Sequence, residues 1–556
     1  MTSNDKFKVQ AAKNEMGRLR TLRASYNIQH FDASQVINED KVQQNLYGLF
    51  GKALAHLDDG SLLPDPVEQY QVLVAMEAGD QDALAQITLG GGRKFVDSQA
   101  AFAHELVGGD PYGFSFESCP QLNSEQAAAE MLEDYEMAIC RDKPWHVINS
   151  LTTDSDCGRA VDMLNSFGDS FKGLKESGVV TRQTLFRGNV YGNQYGPHMS
   201  QFAVHNFISG AHPVTQKYVF DTGDYGHTEA NFFSIQNGNI PVAQTTSAPN
   251  SFYLYTPRGL GSLIHNDFVY QFFYYAAQIL VAAGVPRNPA YKDILPDEAF
   301  VTNAGLVHMV TALADVTKNA FTTAWVHKWR NHLRLRPEEM GGRIVKVDQN
   351  ILTPANDHPA NIVNSKIFDA AHGLDTINAI KAYNQANGGE NAAYLPLMYA
   401  EGSPMHPAFP AGHATTAGAM ATILKLIFKD VPWTIGELGA EYGRVLESQD
   451  GANLTEYGGD TSNMTVHTEL NKLAANCAMG RNIAGVHYRA DSDGGNRLGE
   501  KVAVEYYKDY MSRQIQPHDQ ISCLGFDGNS LVIPGTTEPG VTYTDSTSPL
   551  KFDGQI

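Results

Sequence analysis

Six residues in the second half of the chain have the types and the order that binding of a multiply charged oxyanion requires: Lys328, Arg336, Gly412, His413, Arg481 and His487. Guanidinium groups bind tetrahedral oxyanions through paired hydrogen bonds, and an ammonium group adds a point charge. Backbone N–H groups at a helix start add further donors. One histidine could bond the central atom of the anion while the other transfers protons. The set therefore indicates an oxyanion site with acid–base chemistry.

The middle segment, HPAFPAGHATTAGAMATILKLIF at 406–428, predicts the start of a helix. Residues 414–428 are rich in Ala, Ile and Leu, and proline is favoured just inside a helix start. We therefore place Pro410 at this start and expect three neighbouring amides to lack intrahelical partners: Ala411, Gly412 and His413. A helix N-terminus that contains glycine is a ready-made anion site.

Lys328 and Arg336 belong to the segment KWRNHLRLRPEE, at the end of a long predicted helix. The residue before a proline is disfavoured in the helical region, so Arg336, which precedes Pro337, leaves the helix. Lys328 can then point from the helix while Arg336 returns from the loop to the same place. The simpler alternative is that these basic residues only balance the helix macrodipole.

The third segment, GRNIAGVHYRADSDGG, contains Arg481 and His487 with Gly485 between them to loosen the helix. Asp491 follows His487 by one helical turn, where it could orient the imidazole through its other nitrogen. The letters DSDGG resemble the opening of a calcium loop. The twelfth position of that loop would be Val502 instead of glutamate, so we discount a calcium site there.

Composition argues against several classes of partner. The chain has 556 residues, of which 42% are hydrophobic, and its formal charge is −20 without a long Lys/Arg run. Such an acidic protein is not expected to bind nucleic acid or an anionic membrane surface. The five cysteines are scattered without zinc-ligand spacing, although one pair among the first three could form a disulfide.

Neither a signal peptide nor a membrane span is predicted. The first residues lack the apolar core of a signal peptide, so the default expectation is a cytoplasmic location. The apolar segment 263–284 contains Asn266, Asp267 and Gln271. We interpret this segment as a core helix because polar residues of this kind disfavour a membrane span.

The apolar pattern predicts a mainly α protein. Helices are expected at 67–78, 124–139, 159–174, 263–284, 297–333, 364–387, 414–428, 435–449, 466–483 and 488–511. The stretch 179–257 is irregular with a β-like run at 217–220, and 517–556 is expected to be extended. We divide one compact catalytic unit into a helical and loop-rich half (1–257), a helical bundle with the pocket (258–515) and an extended tail (516–556).

The order Lys-x7-Arg-Pro, Pro-x-Gly-His and Arg-x5-His-x3-Asp resembles the three-part signature of vanadium-dependent haloperoxidases, which their acid phosphatase relatives share in outline. The segments KWRNHLRLRPEEMGG, GPHMSQF and RGLGSLIHNDFVYQFFYYAAQIL are similar to stretches of the red-algal and cyanobacterial bromoperoxidase branch. This likeness spans about 40–515. It implies the helical-bundle vanadium haloperoxidase fold, with long irregular loops and few short strands.

The resemblance implies a role for each residue. Vanadate oxygens would be held by the two arginines, the lysine and a backbone amide: Lys328, Arg336, Arg481 and Gly412. His487 would be the axial ligand of vanadium, and His413 the acid–base residue that helps to bind peroxide. Asp267 resembles a buried acid that pairs with the last arginine. In the family reaction, hydrogen peroxide oxidises halide to a hypohalous-acid equivalent, which halogenates small organic acceptors.

One position departs from the family motif. Ala411 stands where a serine hydroxyl usually bonds a vanadate oxygen. Loss of one such hydrogen bond should cost about 1 kcal/mol if the oxygen finds water instead. We therefore expect weaker or altered vanadate binding, but not its abolition.

Halide preference and assembly are also inferred from the resemblance. His406 matches a second histidine of the bromoperoxidase branch. Trp325 instead resembles the residue that chloroperoxidases have at this position. Either residue could serve only in packing. We expect oxidation of bromide, with iodide as a further substrate. The branch implies a homo-oligomer, from dimer to dodecamer, and its members are often associated with cell surfaces.

Two other functions are compatible with these residues. The pocket could form a phosphohistidine at His487, with His413 protonating the leaving group, as in an acid phosphatase. The chain could also be a catalytically weak, oxyanion-binding or shell-forming paralogue in which Ala411 marks lost turnover. Peroxide-dependent halogenation would separate the haloperoxidase from both.

Overall fold

The computed structural model describes residues 48–535, apart from 106, 151–153, 266–267, 269, 294–298, 354–360 and 515. Within these residues α-helices dominate. They are α1 (Pro66–Ala78), α2 (Gln81–Ala85), α3 (Glu125–Cys140), α4 (Trp145–Ile148), α5 (Ser155–Ser166), α6 (Glu229–Gln236), α7 (Pro257–Leu263), α8 (Gln271–Ala282), α9 (Leu306–Trp325), α10 (Pro337–Asp348), α11 (Leu374–Ala386), α12 (Gly412–Ile427), α13 (Ile435–Tyr442), α14 (Val466–Ile483) and α15 (Arg489–Met511). The prediction of a mainly α protein with few short strands is confirmed.

Short elements connect the helices. The strands form three antiparallel hairpins: β1 (Phe207–Ser209) with β2 (His212–Val214), β3 (Leu446–Glu447) with β4 (Thr455–Glu456), and β5 (Ile521–Leu524) with β6 (Ser530–Ile533). A π-helix, Val326–His332, continues α9 directly. Short 3₁₀ turns lie at Ser98–Phe102, Pro111–Gly113, Gly168–Ser170, Gln201–Ala203 and Ser365–Phe368.

The centre of the molecule is a bundle in which α12 packs against α9, α14 and α15. Small residues allow the closest crossing, between α12 and α15. A Cβ on Gly418 would overlap the backbone of Asn496, and a Cβ on Gly499 would overlap the carbonyl of Thr415. All of α12 except His413 is buried, so this helix forms the core on which the site is built.

Helix starts follow local signals in the sequence. The Ser124 hydroxyl accepts the N–H of Ala127 at 3.1 Å and caps α3, near the start of the helix predicted at 124–139. Thr465 caps α14 in the same way at Thr468. The prediction of 466–483 matches the bounds of α14. These elements are specified locally, which is why sequence reasoning places them well.

Two long helices predicted from apolar runs are interrupted in the structure. Of the predicted helix at 263–284, α8 covers Gln271–Ala282, whereas α7 ends at Leu263, the first residue of that prediction. Between them His265 contacts Asp221 and Glu401 at 2.7 and 2.8 Å. Because these contacts come from distant segments of the chain, the neighbouring sequence does not predict the break in the helix. The segment 297–333 starts helically only at Leu306, and the first two residues of that predicted helix lie outside the described residues.

Other predicted bounds are also wrong. The helix predicted at 159–174 is α5, which begins earlier because Asp154 caps the N–H of Cys157, and which ends before Gly168 at a φ of +49°. The helices predicted at 364–387 and 435–449 are shortened to α11 and α13. The β-like run at 217–220 makes only an isolated bridge, from Tyr218 to Phe252. Helices α2, α4, α6 and α10 were not predicted, and α7 overlaps a predicted helix only at Leu263.

The tail predicted to be extended contains a hairpin, β5–β6, and residues 536–556 lie outside the described part. Among the described helices, none combines the length and apolar character needed to cross a bilayer. All five cysteines are free thiols, and the sulfurs of Cys140 and Cys157 lie 3.8 Å apart.

Candidate functional site

The predicted pocket residues come from five neighbouring elements around the start of α12. Lys328 lies in the π-helix, and Arg336 is the N-cap residue of α10 with φ −82° and ψ 157°. This extended conformation is the one that the following proline favours. Arg481 lies in the last turn of α14. The irregular backbone after α9 thus returns Arg336 towards the lysine.

A left-handed turn releases His487 from α14. Gly485 has a φ of +80°, and its N–H donates to the carbonyl of Asn482 at 2.8 Å. The N–H of Val486 donates to the carbonyl of Arg481 at 3.1 Å, which completes the glycine cap of the helix. The helix therefore ends where His487 must face the pocket.

Arg336 is the hub of the site. Its Nη1 lies 3.0 Å from Nε2 of His487, and its Nη2 lies 3.0 Å from Nδ1 of His406. The guanidinium also donates to the carbonyls of His406 and Val486 at 2.8 and 2.7 Å. Burial and the neighbouring Arg481 lower the pKa of Arg336 to about 9.

Lys328 and Arg481 complete a cluster of buried cations. Lys328 is fully buried, and its Nζ donates to the carbonyls of Pro407 and Ala408 at 2.7 and 2.8 Å. Burial and Arg336 hold the pKa of Lys328 well below its usual range. Arg481 donates from Nη1 to the Ile264 carbonyl at 3.3 Å, while its buried Nε has no partner within the described residues.

None of these three cations forms an ion pair with a carboxylate of the described residues. Other buried arginines do: Arg489 lies 2.5 Å from Glu133, and Arg258 lies 3.0 Å from Asp224. Uncompensated buried charges are costly, because desolvation is not repaid by attraction. Among the described residues these three cations thus have no carboxylate partner, and a multiply charged oxyanion fits their set of donors.

His487 is held in one tautomer by its neighbours. Its Nδ1 lies 2.9 Å from Oδ2 of Asp491, which also accepts the N–H of Tyr488 at 3.0 Å. A carboxylate accepts, so Nδ1 carries the proton and Nε2 presents its lone pair to Arg336. Burial, Arg336 and Lys328 lower the pKa of His487 well below its usual range. The imidazole is neutral and its Nε2 can act as a ligand.

The start of α12 differs from the prediction. The first helical residue is Gly412, two residues before the predicted start at Ala414, and Pro410 lies before the helix. The N–H of Ala411 is not an unpartnered helix-start donor, because it donates to the carbonyl of Asp491 at 2.9 Å. The methyl group of Ala411 packs with Ala414 and Ala478. Only the amides from Gly412 onward remain as helix-start donors.

An aromatic wall borders this helix start. A Cβ on Gly412 would lie 3.2 Å from Trp325 and 3.3 Å from Phe321, so glycine allows the close approach. The ring of Trp325 lies 4.7 Å from that of His406, and its Nε1 donates to the Val96 carbonyl at 3.2 Å. Burial and Lys328 lower the pKa of His406 well below its usual range.

Two predicted residues stand apart from this set. His413 is half-buried in the first turn of α12, one residue after Gly412. Asp267 lies outside the described residues. A residue that sequence reasoning missed is Arg334, which is fully buried and donates to Asp491 at 3.0 Å. Its only signal was its place in the basic segment before Pro337.

Comparison with known proteins finds vanadium-dependent bromoperoxidases that are similar over most of this chain. A family model described as the VCPO second helical-bundle domain matches residues 308–516. A vanadium-dependent bromoperoxidase of Corallina pilulifera is 27% identical over 84% of this chain and 87% of its own length. The vanadium-dependent bromoperoxidase of Ascophyllum nodosum is 27% identical over 90% of both chains. The homohexameric structure of the second vanadate-dependent bromoperoxidase of A. nodosum superposes with a TM-score of 0.82, at 26% identity over 94% of this chain and 90% of that one.

Together, these sequence and structural matches support a vanadium-dependent haloperoxidase. The matched domain includes the pocket residues from Lys328 to Asp491. The structural match also covers the loop-rich first half, because it extends over 94% of the chain. The fold expected from the sequence motifs is thus confirmed for the haloperoxidase as a whole.

Proposed function

We propose that this haloperoxidase binds vanadate in the pocket and uses hydrogen peroxide to oxidise bromide, and iodide as well, to a hypohalous-acid equivalent. The observation that carries the proposal is the contact of Arg336 with the unprotonated Nε2 of His487, in a pocket where Lys328 and Arg481 are also buried and none of the three cations pairs with a described carboxylate. The similarity to vanadium-dependent bromoperoxidases of Corallina and Ascophyllum supports the same reaction.

Each pocket residue has a proposed task. Vanadate oxygens would be held by Lys328, Arg336 and Arg481, whose charges oppose those of the anion. The N–H of Gly412 would add a donor at the positive end of α12. Nε2 of His487 would bond the vanadium. The bound vanadate would supply Lewis-acid activation of peroxide without changing its oxidation state.

His413 has a proposed role in proton transfer. The overall reaction, H₂O₂ + Br⁻ + H⁺ → HOBr + H₂O, consumes one proton. His413 is half-buried at the helix start and is the residue proposed to accept a proton from peroxide and return it to the leaving oxygen, while solvent supplies the proton that the overall reaction consumes. His406 would instead hold Arg336 in place, since its Nδ1 faces Nη2 of the guanidinium.

The remaining features concern substrate and assembly. The wall of Trp325 and His406 borders the pocket and is the proposed approach for halide, with bromide favoured. Small organic acceptors would react with the oxidised halogen. We also propose a homo-oligomer, because the matched A. nodosum structure is a homohexamer.

The deciding experiment is a reconstitution. The purified protein is stripped of bound oxyanion, given orthovanadate or phosphate, and assayed for bromination of monochlorodimedone with hydrogen peroxide and bromide. We expect bromination with vanadate and its suppression by phosphate. Absence of bromination, together with hydrolysis of p-nitrophenyl phosphate by the stripped protein, would overturn the proposal in favour of a phosphatase. Inactivity in both assays would leave an oxyanion-binding protein.

A further inference from the structure

Arg334 is a fully buried arginine outside the set of three pocket cations. Its Nη1 donates to Oδ1 of Asp491 at 3.0 Å, and both side chains are 0% exposed. The other oxygen of Asp491 accepts from Nδ1 of His487 at 2.9 Å. A single carboxylate therefore joins Arg334 to the histidine that faces the oxyanion pocket.

The guanidinium of Arg334 is held by packing more than by further hydrogen bonds. Its carbon lies 4.1 Å from the centroid of the Tyr488 ring, and its Nη2 lies 3.9 Å from Oε2 of Glu130. Its Nε and Nη2 make no hydrogen bond within the part of the chain described. Its carbonyl accepts the N–H of Ala408 at 2.9 Å, and the Ala408 carbonyl accepts from Lys328. Both the side chain and the backbone of Arg334 are thus held by residues that contact the pocket.

We propose that Arg334 is a positioning residue that holds Asp491 so that His487 keeps its proton on Nδ1 and presents Nε2 to the oxyanion. This inference rests on the proposed function, because the orientation of Nε2 matters most if it bonds vanadium. A buried carboxylate with one partner removed loses both its opposing charge and its fixed direction. Groups that orient a metal-bound histidine typically change metal affinity by about 10–100-fold.

Vanadate and phosphate distinguish this role from a merely structural one. Both are tetrahedral oxyanions that the same cations can bind. Of the two, only vanadate readily forms a reversible bond between its central atom and a histidine nitrogen. A turned His487 should therefore weaken vanadate binding and spare phosphate binding, whereas a collapsed pocket should weaken both.

The experiment measures equilibrium binding of orthovanadate and, separately, of inorganic phosphate to the full-length, anion-free protein by calorimetry, with thermal unfolding in parallel. The variants are Arg334→Met and Arg334→Lys. The control is Arg159→Met, which breaks an ion pair with buried Glu136 (2.8 Å) and touches no pocket residue. We expect Arg334→Met to weaken vanadate binding by about 10–100-fold with phosphate binding nearly unchanged. Arg334→Lys should show a smaller loss that is also selective for vanadate.

The control should unfold at a lower temperature and keep both affinities. Unchanged vanadate affinity in Arg334→Met, or an equal loss for both anions, would overturn the positioning role. If Arg334→Met does not fold, the selectivity of the loss in Arg334→Lys decides in the same way. Wild-type protein that binds phosphate but not vanadate would overturn the proposed function and this inference with it. Vanadate binding by the wild type with an unaffected Arg334 variant would overturn this inference alone.

Discussion

Nη1 of Arg336 lies 3.0 Å from Nε2 of His487, so a buried guanidinium faces the nitrogen of the His487 ring that lacks a proton. The same arginine donates to the Val486 carbonyl, directly before this histidine. The cation and the ligand nitrogen are therefore placed by one set of contacts. An oxyanion bound here would contact both groups: Arg336 would bind its charged oxygens, and Nε2 of His487 would face its central atom.

Replacement of His487 by alanine tests the ligand assignment. Vanadate-dependent bromide oxidation should fall by more than about 100-fold, since loss of the ligand itself should exceed the usual cost of losing a group that supports one. Phosphate binding should persist, because the three cations remain. The measurement is bromination after reconstitution, with phosphate binding as the control for pocket integrity. Vanadate-dependent turnover in this variant would show that the assignment is wrong.

Arg481 offers a test of the cation cluster that separates binding from folding. In Arg481→Met, the free energy of binding should become less favourable by about 2 kcal/mol for vanadate and phosphate alike, which is the typical contribution of a hydrogen bond to a charged group. The anion-free protein should lose little stability, because among the described residues this arginine has no carboxylate partner and its contacts are a 3.3 Å hydrogen bond to the Ile264 carbonyl and the Tyr399 ring at 5.1 Å. Calorimetric binding and urea unfolding provide the two values.

Arg489 is the matched control for that prediction. It is equally buried but pairs with Glu133, so Arg489→Met should lower the free energy of unfolding by about 3–5 kcal/mol. If Arg481→Met were as destabilising as this control, Arg481 would have a mainly structural function. Selective loss of vanadate affinity in Arg481→Met would also contradict the prediction, since a cation should serve both anions.

Ala411→Ser tests the missing hydroxyl. Vanadate binding should be as tight as in the wild type or tighter by about 1 kcal/mol, because a hydroxyl could bond an oxygen of the anion. The anion-free protein should be destabilised, since the hydroxyl would enter the contact with Ala414 and Ala478. The vanadate-induced rise in melting temperature should therefore be larger than in the wild type. Clearly weaker vanadate binding would count against the argument.

Much of the pocket could be predicted because its rules are local. The proline after Arg336 forces an extended residue, and Gly485 permits the left-handed turn that ends α14. The pairing of Asp491 with His487 also follows from a separation of one helical turn. Each of these relationships is written within a few residues of sequence.

The rest of the site depends on contacts between distant segments. The π-helix and the left-handed Leu333, with a φ of +49°, break the helical phase, so spacing cannot tell which basic residue reaches Asp491. Arg334 was missed for this reason. The N–H of Ala411 is likewise taken by a carbonyl 80 positions away. The break at His265 has the same origin, since its two acidic partners lie far along the chain.

His265 provides a prediction about stability and pH. Its two ring nitrogens lie 2.7 and 2.8 Å from carboxylates of Asp221 and Glu401. Burial lowers its pKa, but the two acids outweigh burial and raise the pKa to about 9. A group whose pKa is raised by folding stabilises the native state fully below its unfolded value, near 6.5. This contribution is lost as the pH rises through about 9.

The comparison of His265→Gln with the wild type checks this sign. At pH 6 the variant should be about 2 kcal/mol less stable in urea unfolding, because two hydrogen bonds to a charged imidazolium are lost in a partly exposed setting. By pH 10 the difference should shrink, since the wild-type ring is then neutral between two carboxylates. His372→Gln is the control: its ring lies 3.0 Å from the surface residue Asp369, and its loss should change stability by less than about 0.5 kcal/mol. A stability difference for His265 that stays constant from pH 6 to pH 10 would mean that packing, and not charge, holds α7 and α8 apart.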